Sequence, residues 1–132
     1  MDTGRMIAAH PHVEGHLNDP LADCVAEALN CAQVCTSCAD ACAGEPNVAD
    51  LVDCIRLDAD CADICMATAK VATRRTGSNE EVIRAMLNAC MVACGTCGAM
   101  CEQHGEMMEH CRICAEACKR CGDACKKALE TM

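Results

Sequence analysis

With alanine and cysteine counted among the aliphatic side chains, apolar positions recur at steps of three and four residues through four long runs. That period marks helices with one buried face. Asn18-Asp19-Pro20 offers an N-cap with proline at the first helical position, and the run continues to Ala43, where Gly44-Glu45-Pro46 breaks it. Asn47 caps a second run reaching Arg75, whose basic end suits the negative C-terminus of a helix. Gly77 stops that run. Ser78-Asn79-Glu80-Glu81 then reads as a capping box, with Ser78 as N-cap and Glu81 reaching back to it. The third run ends at His104, before Gly105, and the fourth starts near Glu106. The pattern predicts helices over 19–43, 47–75, 79–104 and 106–130, forming one domain over 19–132. Residues 1–18 read as an irregular arm with one short helical turn. Connections of about two to four residues make successive helices antiparallel. The expected fold is all-α: an antiparallel up-down four-helix bundle.

Cysteine sharpens this picture. The first run carries Cys31, Cys35, Cys38 and Cys42, spaced C-x3-C-x2-C-x3-C. Cys90, Cys94, Cys97 and Cys101 repeat the spacing in the third run, and Cys114, Cys118, Cys121 and Cys125 repeat it in the fourth. The second run holds Cys54, Asp58, Cys61 and Cys65, the same frame with aspartate in one cysteine place. Cys24 and Cys111 extend their stripes, so all 17 cysteines are assigned. Steps of four, three and four put each set on one helix face. Four such stripes turned inward give a thiol-lined interior. A small hydrophobe filling space explains one stripe, but not four in a common frame.

Composition then limits the chemistry. Among 132 residues there is no Phe, Tyr or Trp, and Leu, Ile and Val together number 20. That aliphatic share falls below the roughly 20% associated with disorder, so sulfur must make up much of any core. An odd cysteine count and an N-terminus without a signal-like apolar stretch argue against a secreted disulfide scaffold. The expectation is a cytoplasmic chain in a reducing compartment, where dense cysteine means metal. No segment is expected to approach the 18 apolar residues of a membrane span. A net charge of −9 argues against nucleic acid. No nucleophile–base pair, phosphate loop or cofactor fingerprint points to an enzyme.

Helical residues three or four apart have Cβ atoms about 5–6 Å apart, whereas a disulfide wants about 3.5–4.5 Å. An ion between two sulfurs relieves that mismatch. Zinc favours turn-borne sets of four, iron–sulfur clusters favour loop cysteines, and a redox C-x-x-C wants a βαβ context. Cu(I) is soft, thiolate-seeking and content with few ligands. Bound to thiolates, it leaves a crowded core near neutral. Two readings stay open beside it: a metallothionein-like zinc or soft-metal buffer, and a thiol redox protein.

Residues 18–132 resemble the bacterial copper storage proteins of the cytosolic branch, on the in-frame stripes Cys31–Cys42, Cys54–Cys65, Cys90–Cys101 and Cys114–Cys125. The resemblance implies a four-helix bundle holding many Cu(I) ions along its core, assembled as a homotetramer. A copper chaperone is then a candidate donor or acceptor.

Up-down topology brings Cys42, Cys54, Cys101, His104, His110 and Cys111 to one mouth, with Asp58 one turn inside, level with Cys38, Cys97 and Cys118. His104 and His110 read as entry ligands, with Met107 and Met108 as soft assistants. Asp58 is expected to pair with one of the histidines, making a polar gate. Glu102, Glu106 and Glu109 form an acidic rim. At the other end Leu17, Leu21, Val71, Ala72, Ile83, Met86, Leu87, Leu129 and Met132 form a plug without ligands. His10, His12 and His16 are expected to belong to a solvated arm.

Overall fold

The computed structural model describes residues 2–13, 15, 18–77 and 79–132. The expectations for His16, Leu17 and the Ser78 cap lie outside them. The described residues form five α-helices: α1 (Thr3–Ala8), α2 (Asp19–Ala43), α3 (Val52–Thr73), α4 (Glu80–His104) and α5 (Glu109–Glu130). A 3-10 turn over Val48–Leu51 leads into α3. Helices α2 to α5 form the bundle, each packed on the next and α5 back on α2, while α1 lies against α2.

Local chemistry sets the boundaries. The Asn18 side chain accepts the Leu21 N–H at 3.1 Å and starts α2, and its amide also donates to the Thr131 hydroxyl at 3.1 Å. That second bond ties the start of α2 to the end of α5. Pro46 cannot supply an N–H to continue a helix. A 3-10 turn over Val48–Leu51 then precedes α3 proper, which begins later than the Asn47 start that the sequence suggests. Likewise α5 begins at Glu109 rather than Glu106, because residues 105–107 form the turn. Gly77, at φ +74°, takes the left-handed conformation that lets α3 reverse into α4.

The arm is more structured than its sequence suggests. It carries α1, and Ile7 and Val13 are buried with the bundle core. His10 Nε2 lies 3.2 Å from the Thr76 hydroxyl, and Gly77 N–H donates to His12 Nδ1 at 3.3 Å. These histidines fasten the arm to the α3–α4 turn.

One expectation from the sequence fails on α4. It runs uncharged from Ala85 to Cys101, 17 residues, and among the described residues it is the one helix long and apolar enough to cross a membrane. Its apolar character comes from cysteine, alanine and methionine. The cysteine face is buried inside the bundle, as a core helix requires.

Because Ile7 is only 2% exposed while its neighbour Met6 is 70% exposed, Ile7→Ala is expected to lower the stability of the metal-free chain by about 2 kcal/mol or more. Met6→Ala should leave it unchanged. Denaturant unfolding followed by circular dichroism measures both, and equal midpoints would show that the arm contributes nothing.

Candidate metal centre

All 17 cysteines are free and buried. Within a helix, neighbouring turns bring Cys31 to 3.8 Å from Cys35 and Cys61 to 3.8 Å from Cys65. Between helices the sulfurs interleave. Cys35 lies 3.7 Å from both Cys114 and Cys118, Cys65 lies 3.7 Å from both Cys90 and Cys94, and Cys90 lies 3.9 Å from Cys121. The ladder runs from Cys24 and Cys125, 3.3 Å apart near one end, to Cys54–Cys101 at 3.8 Å and Cys42–Cys111 at 4.0 Å at the other.

These gaps are far longer than the S–S bond of about 2.05 Å. All but the 3.3 Å gap between Cys24 and Cys125 match two sulfurs on one ion, since metal–sulfur bonds of about 2.3 Å separate ligands by roughly 3.7–4.6 Å as the angle opens. The sets also overlap. Cys31 belongs with Cys65, Cys94 and Cys121, and again with Cys35, Cys61 and Cys118. Cys35 and Cys118 recur with Cys97 and Cys114. A sulfur that serves two sets suits bridging, which discrete tetrahedral centres do not need.

Asp58 is fully buried. Its Oδ1 accepts from the thiols of Cys97 at 3.0 Å, Cys114 at 3.3 Å and Cys101 at 3.5 Å. Its α5 neighbour is thus Cys114, not Cys118, because α5 is set one turn along from the level that simple topology gives. The expected ion pair with a histidine does not form: its hydrogen-bond partners among the described residues are these thiols, and Oδ2 has none. Burial, with Cys97 beside it, pushes the carboxyl up to about 9. The group therefore holds its proton at neutral pH and needs no cation. Burial likewise raises the thiols of Cys42 and Cys111.

His110 sits at the mouth, its Nδ1 3.4 Å from Cys38 Sγ and 3.6 Å from Cys111 Sγ. Its Nε2 is buried without a hydrogen-bond partner among the described residues, and Glu45 Oε1 lies 4.0 Å away. Glu45 was legible only as part of a helix break, since the turn that carries it toward His110 has no sequence signal. His104 is half-buried, with Nδ1 unpartnered and no hydrogen bond to a cysteine among the described residues. Met108 is buried, whereas Met107 is 73% exposed. Of the acidic rim, Glu109 is engaged by Arg112 at 2.8 Å, which leaves Glu102 and Glu106 exposed. At the far end Leu21, Ala72, Ile83 and Leu87 are buried, and Ile7 and Val13 from the arm add to the plug.

The model of the copper storage proteins matches residues 17–130. The chain belongs to that family. No curated protein sequence matches it. Among solved structures of similar fold is Ccsp, the copper storage protein of Streptomyces lividans, loaded with 10 copper equivalents. The two are 48% identical with a TM-score of 0.94, over 98% of this chain and 99% of that one. A structure on copper loading of the cytosolic storage protein from the same organism, with five coppers, is 54% identical at a TM-score of 0.85, covering 86% and 95%. A variant of that Ccsp with one histidine replaced by alanine matches with the same figures. Copper storage is a non-catalytic role, and the family's cargo fits the soft, shared donor set described above.

Complete burial of free thiols has a measurable consequence. Under anaerobic conditions the unfolded chain should give 17 reactive thiols. The folded, metal-free chain should label at least about tenfold more slowly, since reaction requires local opening. Thiol-reagent kinetics with and without denaturant check this, and equal rates would mean that the interior is open.

Proposed function

We propose that this chain stores Cu(I) in the cytosol, many ions per chain, bound by thiolates along the bundle core. The observation that carries this reading is the sharing of sulfurs between overlapping sets, such as Cys35 and Cys118. If each ion takes two sulfurs and each sulfur bridges two ions, capacity is roughly one ion per thiol. Each Cu(I) replaces a thiol proton, so the interior gains no net charge as it fills. A tetrahedral zinc buffer would charge that interior. A redox protein would need accessible thiols, whereas all 17 here are buried.

The mouth is the entry. His110, Cys38, Cys42 and Cys111 present a mixed donor set there, and His104 flanks it. Asp58, protonated and surrounded by thiols one turn inside, supplies an oxygen acceptor along the path inward. Its neutral state keeps the buried site tolerable before metal arrives.

The partner is another copy of the same chain, giving a homotetramer. Support comes from the outer face of α4, where Val82, Val92 and Ala89 are exposed on a helix without charge between Ala85 and Cys101. A copper chaperone is the expected donor or acceptor.

Anaerobic Cu(I) titration with metal analysis tests the main reading. More than ten ions per chain are expected, and saturation near four, with zinc bound equally well, would overturn it. Asp58→Ala is expected to change the time course of Cu(I) uptake several-fold with little loss of capacity; an unchanged trace would remove Asp58 from the path. Val92→Glu should reduce the assembly to smaller species in sedimentation without altering helicity. An unaltered mass would exclude this face of α4.

A further inference from the structure

One donor set differs from the rest. Cys38, Cys42 and Cys111 stand with His110 so that their four ligand atoms all lie within 4.8 Å of one another. The Cys38–Cys111 gap is 3.9 Å and the Cys42–Cys111 gap 4.0 Å. His110 Nδ1 is 3.4 Å from Cys38 and 3.6 Å from Cys111. A tetrahedral zinc ion, with Zn–S of about 2.3 Å and Zn–N of about 2.0–2.1 Å, sets two sulfurs about 3.8 Å apart and a sulfur and nitrogen about 3.6 Å apart. The mouth already approximates both spacings. Three cysteines and one histidine are also a standard structural zinc set.

We infer that Cys38, Cys42, Cys111 and His110 form a Zn(II) site, one per chain, that plugs the mouth of the store. Binding releases the three thiol protons. His110 coordinates through Nδ1 and keeps its remaining proton on Nε2, the buried atom without a hydrogen-bond partner among the described residues that lies 4.0 Å from Glu45 Oε1. Glu45, only about one-third exposed, then acts as a positioning residue, fixing the ring and its tautomer as carboxylates do behind zinc-bound histidines.

Charge confines zinc to this place. In the core, four thiolates around Zn(II) leave two uncompensated negative charges in a desolvated interior. At the mouth a neutral imidazole replaces one thiolate, and His110 keeps contact with water at 27% side-chain exposure. Cu(I) has no such restriction, so it fills the core while Zn(II) stays at the rim. A zinc ion there holds three sulfurs that an incoming Cu(I) ion meets first, and uptake must begin with its displacement.

Titration of the metal-free full chain with Co(II), then displacement by Zn(II) against a colorimetric chelator, tests the site. One Co(II) per chain with tetrahedral visible bands and thiolate charge transfer is expected. His110→Ala and Cys111→Ser should abolish those bands, and Cys94→Ser in the core should keep them. Glu45→Gln should weaken Zn(II) about tenfold while preserving the tetrahedral spectrum. Preloading one Zn(II) should slow the first phase of Cu(I) uptake several-fold and leave the final copper content unchanged. Several equal Co(II) sites per chain, or bands that survive His110→Ala but vanish with Cys94→Ser, would overturn the inference. So would a chain that takes no Co(II) or Zn(II) yet fills fully with Cu(I), a result that leaves the storage reading standing.

Discussion

Two sulfurs one helical turn apart are too distant to bond to each other and near enough to hold the same ion. The rest of this structure depends on that spacing. An unbroken α-helix keeps Cys31 and Cys35 at 3.8 Å, and the regularity of the backbone, rather than any special loop, makes a disulfide within a stripe a strained one. Facing four such stripes brings sulfurs of adjacent helices to similar distances, so the array continues across the bundle as well as along it. Most bundles fill their interior with interlocking aliphatic side chains. Here the interior is filled by groups that pack as small hydrophobes while protonated and become ligands on losing a proton. The same atoms therefore stabilise the empty protein and receive its cargo.

The regular part of this design is legible from sequence because it is periodic. The frame shared by Cys31–Cys42, Cys54–Cys65, Cys90–Cys101 and Cys114–Cys125 reveals four helices, their inward faces and the thiol lining. Asn18 and Gly77 mark boundaries by chemistry that acts over a few residues. What the sequence leaves hidden lies where contacts are long-range and aperiodic. Ile7 and Val13 look like stray apolar residues in a polar arm, and only the folded bundle gives them a surface to cover. Glu45 sits beside a proline turn whose path no local rule predicts. The stagger of α5, which puts Cys114 rather than Cys118 against Asp58, depends on how four helices slide to pack.

Asp58 illustrates how an environment chooses a protonation state. A carboxylate in that position would need a cation, and His110 faces Cys38, Cys111 and Glu45 instead. The carboxyl keeps its proton and accepts from the thiols around it. The frame thus contains one oxygen site among sulfurs, next to the mixed set at the mouth. Soft and harder donors are graded along the axis, from sulfur alone in the middle to sulfur, oxygen and nitrogen near the entrance.

The arm folded over the far end also determines order. With Ile7, Val13, Leu21 and Leu87 sealing one end, the interior is a blind tube. Ions entering at the proposed mouth would reach Cys24 and Cys125 last, and would leave them only after those nearer Cys42 and Cys111 had moved. With entry at the mouth, as proposed, such a vessel would work as a stack, last in and first out, with a readily exchanged fraction of copper near the opening and an old reserve at the bottom.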